Sequence, residues 1–307
     1  MCLFLCFNKG GSNQADLEDF VEDNFTEEKE PITRQAFSKQ RTYINPEVFK
    51  DINKGYLSEI GYFNNKNSFF KEINGFRIYA DDGSDFELPD FKEVREEYQI
   101  KNTPLMNKPV MAKFSSVMDI LNGYILDGII ESKNIGELPL MLENIKNISK
   151  MMNLKKSIFI FDRGYNAIEL YCQLIALKSY FIVRLKGNTY KKERKNINKN
   201  DSPIKIKLTN ERTKRFHDKR LQEQFKNTPY LNLRIITIEL DNVEKETLLT
   251  NLPKTKFKTE EFKQLYHLRW GIETNYNTMK NRLNIENYTG KRKNNNRTRH
   301  IFKIPKI

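Results

Sequence analysis

Apolar positions along the chain follow two periods. A nearly continuous apolar run covers Ser157 to Phe161, and another apolar stretch covers Tyr180 to Leu185; runs of this kind mark strands buried on both faces. Val110 to Ile120 and Tyr124 to Ile130 are apolar-rich segments separated by Asn122-Gly123, a pair that signals a tight hairpin turn. Phe76 to Ala80 reads as a short strand running into a turn at Gly83. Helical spacing covers Leu138 to Met152 and Ala167 to Leu177. Strand-like runs return at Ile204 to Leu208, Leu231 to Leu240 and Thr247 to Leu252. Upstream, Asp16 to Asn24 reads as an acidic helix carrying Leu17, Phe20 and Val21, and Thr33 to Phe37 leads through Pro46 into a second helix. Periodicity alone gives an α/β or α+β chain.

The last periodic segment carries the densest chemistry. At about 100° per residue, with Tyr266 as zero, Arg269 falls near −60°, Glu273 near −20° and Lys280 near −40°, a single polar stripe. Leu265, Leu268, Ile272, Tyr276, Met279 and Leu283 fall between roughly −80° and −160° and form the apolar band of a docked helix. The stripe therefore borders the buried face, where a cleft can form. A plainer reading is a solvated face on which Arg269 and Glu273 make an i,i+4 pair worth about 0.2–0.5 kcal/mol. Trp270, the only tryptophan, lies about 40° from Tyr266 on this wheel. It reads either as core or as a platform for an unpaired base.

Two further acids stand at strand ends. In Asp81-Asp82-Gly83-Ser84 only one aspartate can face a given side of the sheet, because strand side chains alternate. In Asp162-Arg163-Gly164-Tyr165 an acid closes the apolar run. Each aspartate alone is an ordinary turn former or helix cap.

Taken in order, these motifs resemble the DDE transposases of the insertion-sequence "four" type. The spacing Tyr266-x2-Arg269-x3-Glu273-x6-Lys280 resembles the signature around that family's last acid, and Leu248 to Leu252 and Glu286 to Gly290 resemble its flanks. Asp-Gly-Ser resembles the first acidic motif and selects Asp82, the residue directly before the glycine; Asp-Arg-Gly-Tyr resembles the second and selects Asp162. The resemblance, from about residue 35 to residue 290, implies a ribonuclease H-like mixed sheet flanked by helices and interrupted by a β-rich insertion. It implies that Asp82, Asp162 and Glu273 are catalytic and hold two Mg²⁺ ions, with Mn²⁺ able to substitute, and that Tyr266, Arg269 and Lys280 bind DNA phosphates. The implied partners are double-stranded DNA, as terminal inverted repeats and target, and a second copy in a synaptic complex. The implied reaction is cut-and-paste strand cleavage and transfer.

Composition agrees with a polyanionic partner. Lys and Arg number 53 against 40 Asp and Glu, a formal charge of +13, which favours nucleic acid through counterion release. The basic residues concentrate in Lys191 to Lys199 and from Lys280 onward. Cys2, Cys6 and Cys172 form no paired motif, and His217, His267 and His300 are dispersed, so a structural zinc site or a disulfide framework is not expected. No phosphate-loop or dinucleotide fingerprint appears. The apolar Met1 to Phe7 is too short for a bilayer span, and a cytoplasmic, nucleoid-associated protein is expected.

The expected organisation is a helical region over residues 1–70, the first part of the catalytic core over 71–188, a β-rich insertion over 189–245, the final core strand and Glu273 helix over 246–290, and a basic irregular tail over 291–307. Compared with the family, the chain is expected to be truncated at both ends and to be a decaying copy. Two other readings stay open: a host metal-dependent nuclease of the same fold, and a non-catalytic DNA-binding inhibitor of transposition.

Overall fold

The computed structural model describes residues 33–286, apart from 42, 46, 65–68, 91, 99–108, 196, 240–244 and 283–284, together with Glu18 and Glu22. Apart from Glu18 and Glu22, which are helical, the expected helix over Asp16 to Asn24 lies outside these residues, as do the Glu286 to Gly290 motif beyond its first residue and the basic tail.

Eight strands form one sheet: β1 (Arg77–Leu88), β2 (Val110–Asp119), β3 (Tyr124–Ser132), β4 (Ser157–Phe161), β5 (Tyr180–Arg184), β6 (Asp201–Lys207), β7 (Tyr230–Glu239) and β8 (Lys245–Thr250), in the order β3-β2-β1-β4-β5-β8-β7-β6. The first three pair antiparallel, β4 and β5 run parallel to β1, and β8, β7 and β6 are again antiparallel. The half β3-β2-β1-β4-β5 has the order and directions of a ribonuclease H-like sheet. The helices are α1 (Arg34–Arg41), α2 (Glu47–Glu59), α3 (Lys92–Tyr98), α4 (Glu137–Met151), α5 (Ile168–Ala176), the short α6 (Lys191–Arg194), α7 (Asn210–Thr213) and α8 (Lys219–Gln224), then α9 (Glu261–His267) and α10 (Trp270–Asn277).

Alternation along the strands divides the core in two. Tyr79, Val117, Phe159, Phe161 and Phe181 face one side, where they pack with Leu57 of α2, Met141 and Ile145 of α4 and Leu170 of α5. Ile78, Ile158, Ile160 and Ile182 face the other and pack with Phe262, Leu265 and Tyr266 of α9. The continuous apolar run of β4 is thus explained by helices on both faces. The β2–β3 hairpin turns where expected, with Gly123 at φ 74°, a left-handed conformation that glycine adopts freely.

Three elements differ from expectation. β1 does not stop at a glycine turn but continues through Gly83 and Ser84 to Leu88, because β2 supplies a partner for every residue from Tyr79 to Leu88, Gly83 opposite Ser115 included. The 189–245 segment holds three short helices as well as strands, and its β6 and β7 extend the main sheet through β8. The terminal helix is not continuous: α9 ends at His267, and after α10 the residues Thr278–Arg282 form a wider π turn.

Arg234 ties this added half to the core. Its guanidinium makes two bonds to Asp201, at 2.7 and 2.8 Å, and donates to the Phe257 carbonyl at 2.8 Å. The pair holds the Asp201 carboxyl well below the usual carboxylate range, the Arg234 hydrogen bond being the main cause. A depressed acid stabilises the fold above its unfolded pKa and loses that contribution as pH falls through its folded value. Arg234→Ala, which leaves the partly buried Asp201 with only Thr259 and Lys254 as partners, is expected to lower unfolding free energy by about 2 kcal/mol in urea titrations at pH 7. The loss should shrink in acid, as Asp201 becomes protonated.

Candidate active site

β1 outlasts its parallel neighbour. β4 pairs with it only over Arg77 to Ala80, so from Asp81 onward one flank of β1 is open, and Asp162 follows directly on the last residue of β4. Asp81 and Asp82 point to opposite faces, as alternation requires. Asp81 is fully buried on the α4 side, bonded by Ser115 at 3.2 Å and Asn144 at 3.3 Å, and burial pushes its carboxyl well up. Asp82 faces α10.

On that side Arg269, 7% exposed, stands between two of the expected acids. Its Nη1 lies 2.6 Å from Glu273 Oε1 and 4.0 Å from Asp82 Oδ2. The Tyr266 hydroxyl donates to Asp162 Oδ1 at 3.4 Å. The structure therefore brings together Asp82, Asp162, Glu273, Tyr266 and Arg269, from β1, the end of β4, α9 and the start of α10. The guanidinium also lies 5.9 Å from the ring centroids of both Tyr266 and Trp270, while its Nε has no partner.

Lys280 is placed differently. It falls in the π turn, donates to the Asp85 carbonyl at 2.7 Å and lies over the Phe86 ring, three residues along β1 from Asp82. The ideal wheel put it in one arc with the others; the widened turn shifts it along the strand. Trp270 is not core, since 57% of it is exposed. Arg184 is paired with Glu246 at 2.7 Å, and Arg163 is exposed.

Two contributors were not singled out from the sequence. Tyr276, read only as apolar, donates its hydroxyl to the Asp82 carbonyl at 2.5 Å and lies 2.9 Å from Ser116 Oγ, fixing the backbone that carries Asp82. Glu137, the first residue of α4, approaches from the other face. Its signal was positional, an acid opening the helix after the hairpin, and composition does not separate it from any helix-starting glutamate. Gly271 is legible only in three dimensions: a Cβ there would sit 2.6 Å from Ile120 Cγ2, so glycine lets the start of α10 close on the residue that follows β2.

Burial raises the Asp82 carboxyl to about 6; the Gly83 amide and Arg269 oppose the rise, and Glu137 and Glu273 add to it. Three carboxylates are the hard oxygen set suited to Mg²⁺ or Mn²⁺, and the donor chemistry fits. Among the described residues no three acidic, histidine or cysteine side chains already converge on one point, since Arg269 stands between Asp82 and Glu273.

Against known families, the Transposase DDE domain model matches residues 74–304. The chain belongs to that family. No significant match is found among curated proteins. Among solved structures, the piggyBac transposase synaptic complex with hairpin DNA matches at 13% identity and TM-score 0.40, over 66% of this chain and 40% of that one. The Mos1 paired-end complex with the left transposon end matches at 13% and 0.25, over 55% and 49%, and the Mos1 strand transfer complex at 16% and 0.24, over 55% and 56%. The chain thus spans about half the length of these proteins, and scores this low add nothing to the topology described above. Among the described residues no helix is long and apolar enough to cross a membrane.

Two outcomes test this geometry. Gly271→Ala should force Ile120 and α10 apart and reduce any metal-dependent DNA cleavage at least tenfold, with little change in the secondary-structure spectrum. Asp82→Asn should raise the melting temperature of the metal-free chain. The sign follows from the raised acid: ionising Asp82 costs folded stability as pH climbs from the unfolded value of about 3.9 to about 6. The gain should therefore be large at pH 7.5 and nearly absent at pH 4.

Proposed function

We propose that this chain is a DNA transposase of the insertion-sequence "four" type, cutting and joining transposon ends by metal-dependent phosphodiester hydrolysis and transesterification in a cut-and-paste reaction. One observation carries the reading: the buried Arg269 lies against Glu273 and Asp82 while Tyr266, one helical turn earlier, bonds Asp162. An ordinary i,i+4 surface pair would involve neither aspartate and would not be buried.

Asp82, Asp162 and Glu273 would hold the divalent ions, Mg²⁺ or Mn²⁺. Bound there, such ions supply an activated water or 3′-hydroxyl and stabilise the departing oxygen. The chain's own side chains orient the strand. Arg269 offers a planar fork for one phosphate and Tyr266 a hydroxyl donor beside Asp162. Lys280, further along β1, adds a point charge for a neighbouring phosphate once it leaves the Asp85 carbonyl. The exposed Trp270 offers a stacking face to an unpaired base next to the scissile position. The substrates would be terminal inverted repeats and target duplex, engaged by two copies of the chain in a nucleoid-associated complex.

The test is cleavage of a labelled duplex made from the DNA on either side of the gene, with and without the terminal repeats that the proposal requires there. Nicking is expected with Mg²⁺ or Mn²⁺ and not with EDTA, falling at least 1,000-fold, an effect of about 4 kcal/mol, in Asp82→Asn, Asp162→Asn and Glu273→Gln. Cleavage that persists in Glu273→Ala removes the proposed site. Structure-specific cutting without preference for the repeat would favour a host nuclease. Binding without cleavage under any metal would favour an inhibitor. As the single tryptophan, Trp270 reports directly: its fluorescence should be quenched more by an end with an unpaired base than by blunt duplex of equal length.

A further inference from the structure

The first motif is Asp82-Gly83 and the second is Asp162-Arg163-Gly164. Both glycines face the same side chain. A Cβ on Gly83 would lie 2.9 Å from Glu137 Cγ and 3.2 Å from its Oε1, and a Cβ on Gly164 would lie 4.0 Å from its Oε2. The first distance is closer than real side chains come, so Glu137 occupies space that only glycine at 83 leaves free. Neither glycine has a positive φ, so backbone conformation does not demand them. The carboxylate is thus lodged between the residue after Asp82 and the second residue after Asp162, at the open flank where β4 has ended.

We propose that Glu137 is a fourth carboxylate of the ion-holding set, reaching past Gly83 from the α4 face to act with Asp82 and Asp162 on a divalent cation. The inference rests on the metal-dependent reading above and deepens it. Lys113 Nζ holds Oε1 at 3.2 Å, which leaves Oε2 as the oxygen nearest the Asp162 turn. With 40% of its side chain exposed, Glu137 is not a buried anion committed to the core. A helix-opening acid that only complements the helix dipole points to solvent and makes no demand on a distant strand glycine.

The experiment is Mn²⁺ binding to the full chain without DNA at pH 7.5, by calorimetry and by the resonance signal of free Mn²⁺. Glu137→Gln keeps the shape and should weaken binding at least about tenfold. Gly83→Ala, which pushes the carboxylate aside without changing charge, should do likewise. Glu143→Gln, the same charge change further along α4, should leave affinity unaltered and so separates ligation from general electrostatics. Wild-type affinity in Glu137→Gln, with weakened binding in Asp82→Asn, would overturn the inference and leave the proposed function standing. Wild-type affinity in Asp82→Asn, Asp162→Asn and Glu273→Gln as well would overturn both. An equal loss in Glu143→Gln would also overturn the fourth-ligand role.

Discussion

The arrangement depends on a mismatch in strand length. β1 has twelve residues and β4 five, and the two pair only over the first four of β1. The long strand remains satisfied on its other side, since β2 pairs with it from Tyr79 to Leu88, so its free edge is limited to one flank. Asp82 then stands at the end of a parallel pair, where backbone from the shorter strand leaves the sheet and Asp162 turns away with it. Helices on both faces cover the apolar body of the sheet and leave this notch to polar side chains.

Arg269 keeps the notch intact without a cation. A guanidinium this buried would be costly if isolated, because desolvation outweighs what one exposed partner returns. Here Glu273 meets it directly, Asp82 stands at 4.0 Å, and the rings of Tyr266 and Trp270 flank it. Its neighbours hold its proton more firmly than usual, chiefly the Glu273 hydrogen bond, against the opposing effect of burial. The same contact separates Asp82 from Glu273. The two carboxylates therefore cannot close on one another while the guanidinium stands between them.

Much of this was legible in the sequence, for identifiable reasons. β4 and the hairpin were readable because apolar runs and an Asn-Gly turn are local signals. Strand alternation allowed only one of Asp81 and Asp82 at the site and the resemblance to an Asp-Gly motif chose Asp82, while Tyr266, Arg269 and Glu273 were grouped because helical spacing survives the slight break between α9 and α10. Lys280 was misplaced where that spacing failed, in the π turn. Trp270 was left between core and stacking platform, because a wheel ignores what packs against each face; 57% of it is exposed. Glu137 and Gly271 were silent, since their meaning lies in contacts across 54 residues to Gly83 and 151 residues to Ile120.

The two adjacent aspartates show why one position is fixed so tightly. Asp81 is held by Ser115 and Asn144 beneath α4, and Tyr276 holds the Asp82 carbonyl from the opposite side. A one-residue slip of β1 against β2 would turn Asp82 to the α4 face and Asp81 to the α10 face. It would also move Gly83 from beneath Glu137 and set Ser84 or Asp82 there, where a Cβ has no room. Register, glycine position and the α10 contact thus exclude the same error independently. The buried Asp81, costly as a charge, is retained in a place where its polar partners recognise only the correct alignment.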